Sequence, residues 1–145
     1  MDDFEDIQFR FAALKDVEEL IAFWSINSKN ANRPIDTRAL IKQLIEKDSE
    51  ALTVAIQDGR IVGTVIAGWD GWRGSIYRLT VENSARRSGL GTQLMTLAEQ
   101  RLMRLGAQWV GAMVLDSNHE AHPFYSSLNY TKQVEWRRWI KELPI

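Results

Sequence analysis

Arg86, Arg87, Ser88, Gly89, Leu90 and Gly91 follow one another where an apolar run, Ile76 to Val81, gives way to an amphipathic stretch with helical spacing. Residues of these types can hold an anion. A helix N-terminus presents N–H groups without intrahelical partners and a partial positive charge, and glycines at 89 and 91 remove side chains that would keep a phosphate away. The two arginines add full charge. A bare GxG is more often an ordinary turn, but strand, paired arginines, glycines and a strong helix together reverse that balance. Two nucleotide patterns fail here. A dinucleotide fingerprint needs glycine where Leu94 stands, and a P-loop needs a lysine and a serine or threonine that this spacing does not supply.

Other groups able to do chemistry are scattered. Asp70, Glu82 and Glu135 are the carboxylates open to a role as base, and His119 and His122 sit before a short helix, where they read as capping or solvent-facing. The segment GWDGWRG, Gly68 to Gly74, places Trp69 and Trp72 beside Asp70 and Arg73 in a turn. Two tryptophans there could floor a pocket or cover an open end of a sheet, and packing is the expectation.

The elements that must position these groups are legible from periodicity. Ile7, Phe9 and Phe11 alternate as a short first strand, and Leu14, Val17, Leu20, Ile21 and Trp24 share one face of a first helix, with Trp24 in the core. A polar, proline-broken loop from Asn27 to Pro34 follows, and Asp36 is placed to cap a second helix carrying Leu40, Ile41, Leu44 and Ile45. Ala51 to Gln57 and Arg60 to Gly68 are β-branched runs around Asp58-Gly59, a strong hairpin signal. Gly74 to Val81 is the strand before the glycine loop. Leu90, Leu94, Leu97, Ala98, Leu102 and Leu105 stripe the next helix, and Gly106 ends it. Trp109 to Leu115 reads as a buried parallel strand completing a right-handed crossover, and Thr131 to Leu143 alternates well enough for one or two final strands.

Totals narrow the function. A chain of 145 residues can bury the core of a single domain spanning 1–145, and a net charge of −1 gives no case for nucleic acid or anionic membrane as partner. Cysteine is absent, which removes disulfides, thiolate nucleophiles and cysteine metal sites, and no metal is expected. The start, MDDFEDIQFR, is acidic without an apolar core, and no run approaches membrane-spanning length, so the expected setting is cytoplasmic.

The segment VENSARRSGLG and its helix resemble the acyl-CoA pyrophosphate loop of the GNAT acetyltransferase superfamily, (Q/R)xxGx(G/A). Asn118 to Tyr130, NHEAHPFYSSLNY, is similar to the family's second signature, an asparagine and a tyrosine flanking a helix start. The turn and strand GWDGWRGSIYRLTV resemble a bacterial branch near the ribosomal-protein alanine acetyltransferases. The resemblance implies a mixed α+β fold, with a central, mostly antiparallel sheet of about six to seven strands, a parallel pair splayed at the CoA site, and about four helices. It implies acetyl-CoA as cosubstrate, held by Leu79, Thr80 and Val81, by Arg86 to Thr92 (Arg86, Arg87, Ser88, Gly89, Leu90, Gly91, Thr92), and by Asn118 and Tyr125. The acetyl group would pass by direct attack, in a ternary complex, to a primary amine of a small molecule or protein N-terminus.

Tyr125 is then the acid for the departing thiolate, and a backbone N–H near the end of Leu79 to Val81 polarises the thioester carbonyl. Three positions depart from the family pattern. Asn83 stands where proline is frequent, Pro123 falls within the expected fourth helix, and Asn129 replaces a glycine while tolerating left-handed geometry. Where some members carry a glutamate base this chain has Ser75, so the proton is expected to leave through water held by Tyr77, which strict alternation puts on one face with Ser75, Leu79 and Val81. The missing base also leaves open a non-catalytic acyl-CoA-binding module of the same fold. By the resemblance, the loop Asn27 to Asp36 and the segment Val134 to Trp139 shape the acceptor pocket. Asn27, Arg33, Trp69 and Trp136 are its candidate residues, with Trp139, Arg137 and Arg138 beside them. The tryptophan-rich end could also pair across a homodimer.

Overall fold

The computed structural model describes residues 6–28, 33–86 and 88–144, which fall into two compact units, Met1–Met113 and Val114–Ile145. In the first, five strands lie in sequence order: β1 (Gln8–Phe11), β2 (Leu52–Gln57), β3 (Arg60–Trp69), β4 (Gly74–Val81) and β5 (Val110–Ala112). The first four are antiparallel neighbours and β5 runs parallel to β4. The β2–β3 hairpin turns through Asp58 (φ 52°) and Gly59 (φ 74°), and the paired positive φ values are those a two-residue hairpin needs to match strand twist.

Three helices pack on this sheet. A 3₁₀ turn, Leu14–Asp16, leads into α1 (Val17–Asn27), which buries Val17, Leu20, Phe23 and Trp24. The tighter turn shifts the angular phase, so Leu14 is exposed and Phe23 takes the inward position instead. Ile41 and Ile45 of α2 (Arg38–Lys47) join the α1 residues, Leu52, Val54 and Ile61 in one core. Thr37, and not Asp36, caps α2, its Oγ1 accepting the Leu40 N–H at 3.2 Å. Asp36 is drawn away by an ion pair described below. On the opposite face, α3 (Leu90–Leu105) seats Leu90, Leu94, Met95, Ala98 and Leu102. Gly74 lets it close in, since a Cβ there would lie 2.9 Å from Leu102 Cδ1. Gly106 ends α3 at φ 104°, as its position suggested.

The expectation of six to seven strands is corrected to five among the described residues. Residues 131–143 form no strand, and the run from Trp109 contributes only Val110–Ala112. Alternation of side chains makes a strand only where a neighbour completes the hydrogen-bond ladder. Instead, Val134, Trp136, Trp139, Ile140 and Leu143 are exposed, Trp139 at 93%. The second unit carries α4 (Ala121–Ser127), with Pro123 in its first turn, where a missing N–H costs no intrahelical bond.

Candidate functional site

Strand β4 is irregular at the position where its second neighbour leaves. The β4–β5 pairs are Gly74↔Val110, Ser75↔Gly111 and Ile76↔Ala112, so beyond Ile76 the parallel ladder ends while β4 continues to Val81. On the other side, Tyr77 pairs with Ile66 and Thr80 with Thr64, leaving Arg78 and Leu79 opposite Val65 alone. This is a β-bulge, and Arg78 adopts φ 51° within it. A buried, non-glycine residue there is strained and needs its surroundings to hold it.

Three residues do so. Arg78 Nε donates to Asp36 Oδ2 at 2.7 Å, Nη2 lies 2.6 Å from the same oxygen, and the guanidinium sits 5.0 Å from the centre of the Trp24 ring. Thr64 Oγ1 donates to the Arg78 carbonyl at 2.7 Å and accepts from Trp24 Nε1 at 2.9 Å. In a trans peptide the C=O and the following N–H point oppositely. Fixing the Arg78 carbonyl toward Thr64 therefore turns the Leu79 N–H away from β3, to the side that β5 has vacated. Alternation from the other end agrees. Glu82 N–H donates to Val62 O at 2.9 Å, so Glu82 and Thr80 direct their backbone groups toward β3, and Leu79 directs its own away.

The bulge also corrects the expected face. Paired residues of a ladder point to the same side. Tyr77 thus shares a face with Ile66 and Thr80, whereas Val81, opposite Gly63, faces α3. The signal was present in sequence, because Ile76, Leu79 and Val81 are spaced three and then two apart. Trp24, Asp36, Thr64 and Arg78 are the residues that sequence reasoning did not connect to the site.

At the glycine loop, Gly89 precedes α3 with φ 90° and has no side chain with which to cap the helix. Among the described residues nothing lies within 4 Å of where its Cβ would stand, and the first-turn amides of Leu90, Gly91 and Thr92 have no partner within the helix. The side chain of Leu90 is itself buried, and Thr92 is exposed. Ser88 Oγ turns back to the Ala85 carbonyl. Arg86 spans inward, Nε to Val81 O at 3.3 Å and Nη2 to Asn27 O at 2.9 Å. Arg87 lies outside the described residues. Thr80 Oγ1 and Ser28 Oγ are 2.8 Å apart, which ties the end of α1 to β4 a second time.

A cavity of about 240 Å³, lined by Gly68, Trp69, Asp70, Arg73, Ser75 and Tyr77, brings two predicted site residues, Trp69 and Tyr77, together. Packing is not the role of Trp72, which is 71% exposed with the Arg73 guanidinium 4.0 Å above its ring. Asp70 is committed to its turn. Backbone N–H groups of Arg73 and Trp72 hold its carboxyl below the usual range, and the Arg60 guanidinium does the same for Glu82. Both carboxylates are weakened as bases. Asn27 Nδ2 returns to Phe23 O at 3.0 Å, and Arg33 is half-buried in the same connection, of which residues 29–32 lie outside the described set.

In the second unit Asn118 closes the turn before α4, its carbonyl accepting the Ala121 N–H at 3.1 Å. Tyr125 is half-buried, its ring edge-on to Phe124 and Tyr130 at 5.3 and 5.4 Å. Asn129, at φ 68°, takes the left-handed geometry expected of it. His122 Nε2 lies 3.0 Å from Leu115 O, and Trp136 is exposed.

Residues 14–130 match the model of the Acetyltransferase (GNAT) family. The chain belongs to the GNAT acetyltransferase family. This acetyltransferase is 32% identical over 128 residues to an acetyltransferase of Yersinia pestis (strain Pestoides F), across 88% of this chain and 89% of that one. Its fold is similar to that of Ard1 from Thermoplasma volcanium, with a TM-score of 0.76 at 22% identity over 89% of this chain and 85% of that chain. It is also similar to PaiA N-acetyltransferase from Thermoplasma acidophilum in complex with coenzyme A, with a TM-score of 0.71 at 16% identity over 84% and 87% of the two chains. Acetyl-CoA is the cosubstrate of this GNAT acetyltransferase, and α3 begins at Gly89 without a side-chain cap, which leaves first-turn amides able to meet an anion.

Proposed function

We propose that the chain transfers the acetyl group of acetyl-CoA to a primary amine, of a small molecule or a protein N-terminus, by direct attack within a ternary complex. The observation that carries this reading is the Leu79 N–H, turned out of the β3 ladder beside the vacated edge of β4. A fixed donor there suits a carbonyl oxygen that gains negative charge during attack. Acetyl-CoA supplies the acyl group as an activated thioester. Leu79, Thr80 and Val81 offer it a strand edge, and Arg86, Ser88, Gly89, Leu90, Gly91 and Thr92 surround its diphosphate, chiefly through backbone amides.

Tyr125 protonates the departing thiolate in this reading, with Asn118 fixing the turn ahead of it. Tyr77 holds water that carries the amine proton to solvent, since Asp70 and Glu82 are engaged with other groups. The cavity beside Trp69 and Tyr77 receives the acceptor in this reading; Asn27 and Arg33 in the first unit and Trp136 in the second are further candidate acceptor residues. A single acetyltransferase domain over 1–145 is supported by a family match that runs through both compact units. A cytoplasmic setting is supported by the absence of cysteine, and among the described residues no helix is long and apolar enough to cross a membrane.

Calorimetry with CoA, followed by thiol release from acetyl-CoA across a panel of amines and N-terminal peptides, tests the proposal. Micromolar binding and thiol release with one acceptor class are expected. No binding at millimolar CoA, or binding without thiol release for any amine, would overturn it.

A further inference from the structure

We infer that Thr64 is a positioning residue: its hydroxyl, oriented by Trp24, sets the Arg78–Leu79 peptide so that the Leu79 N–H meets the acetyl carbonyl oxygen. This rests on the acetyl-transfer reading above and adds to it the side chains that make the donor. The direction of every hydrogen in the relay is determined. An indole N–H only donates, so Thr64 Oγ1 accepts from Trp24 at 2.9 Å, and its own hydrogen goes to the Arg78 carbonyl at 2.7 Å. Thr64 is wholly buried, Trp24 nearly so, and neither lines the cavity at Trp69 and Tyr77. A threonine at 64 that served only packing would need no hydroxyl.

The Arg78 side chain completes the device from the other direction. At φ 51° the bulge is held by the guanidinium between the Trp24 ring and Asp36, and Asp36 belongs to the connection between α1 and α2. Trp24 therefore serves twice, under the guanidinium and as donor to Thr64. One peptide orientation satisfies all these contacts together. Rotating that peptide to face β3 with its N–H would strip the Thr64 hydroxyl of its acceptor in a buried setting.

Thr64→Val keeps the shape and removes the hydroxyl, whereas Thr64→Ser keeps the hydroxyl. The readout is the isotope-edited infrared band of acetyl-CoA labelled with ¹³C at its carbonyl, bound to each protein, alongside calorimetric affinities for acetyl-CoA and CoA. Wild type and Thr64→Ser should shift the band to lower frequency than in free acetyl-CoA. Thr64→Val should return it toward the free position while its CoA affinity stays within about threefold of wild type. Trp24→Phe, which frees the hydroxyl to rotate, should broaden the band and provides the test if Thr64→Val does not fold. A band in Thr64→Val or Trp24→Phe identical to wild type would overturn the inference, as would failure of Thr64→Ser to restore it. Binding to wild type with an unshifted band overturns this inference alone, and no binding overturns the acetyl-transfer reading with it.

Discussion

Arg86 donates from Nη2 to the carbonyl oxygen of Asn27 at 2.9 Å, closing the C-terminal end of α1 with a positive charge. The last carbonyls of a helix are unpaired and carry partial negative charge, so a guanidinium is a fitting partner. The second bond, to Val81 O, makes the same side chain a strut between α1 and the end of β4.

Removing that strut should therefore be felt before any ligand is added. Hydrogen bonds from charged groups contribute about 1.5–3 kcal/mol, and Arg86→Ala is expected to lose an amount in that range in CoA-free urea unfolding. A variant as stable as wild type would show that these bonds contribute nothing.

Gly89 offers a cleaner separation of fold from ligand. At φ 90° an alanine is strained, at a cost of about 1–2 kcal/mol, yet its Cβ would touch nothing among the described residues. Gly89→Ala should show that modest destabilisation together with at least about a tenfold loss of CoA affinity. Unchanged affinity by calorimetry would remove the amides at Gly89 from the binding site.

Acid stability should depend on Asp16. Arg10 donates to both its oxygens, at 2.7 and 2.9 Å, and the Ala13 N–H donates at 2.7 Å. The Arg10 hydrogen bonds, foremost, hold the buried carboxyl below the usual carboxylate range. A depressed folded value means that this stabilisation is present above the unfolded value, about 3.9, and lost as pH falls through the lower folded value. With Arg10 more than a third exposed, a discounted contribution of about 1–2 kcal/mol is reasonable. Asp16→Asn should lower stability by that amount at pH 7 and flatten its fall below pH 4. Parallel pH profiles for the two proteins would contradict this.

For Tyr125 the contrast lies between rate and affinity. Tyr125→Phe should reduce kcat about a hundredfold while CoA affinity stays within about threefold, because an acid acts in the transition state. Affinity falling more than rate would assign the hydroxyl to binding instead.

The sequence carried the positions of α3 and the β2–β3 hairpin because each rests on local chemistry, glycine at a helix end and Asp58-Gly59 in a turn. The bulge left a trace in the spacing of Ile76, Leu79 and Val81, but the partners that hold it were out of reach for a different reason. Arg78 is stabilised by Asp36, 42 residues away, and its carbonyl by Thr64, 14 residues away, and no local pattern encodes those partners. Alternation also misled at 131–143, where apolar spacing implied strands but no ladder forms. Arg86 suits a charge beside a phosphate by its type alone, while the Asn27 carbonyl that engages it becomes visible only once α1 is folded.

The early end of the β4–β5 ladder carries a cost in handling beside the binding role proposed for it. Open strand edges recruit stray chains, and proteins ordinarily blunt them with proline, lysine or a covering loop. None of these is admissible from Tyr77 to Val81 if the edge is to accept a ligand, and the one cation there, Arg78, is buried. In the proposed reading the edge must stay unblunted, and the cosubstrate paired along it would be its guard against self-association.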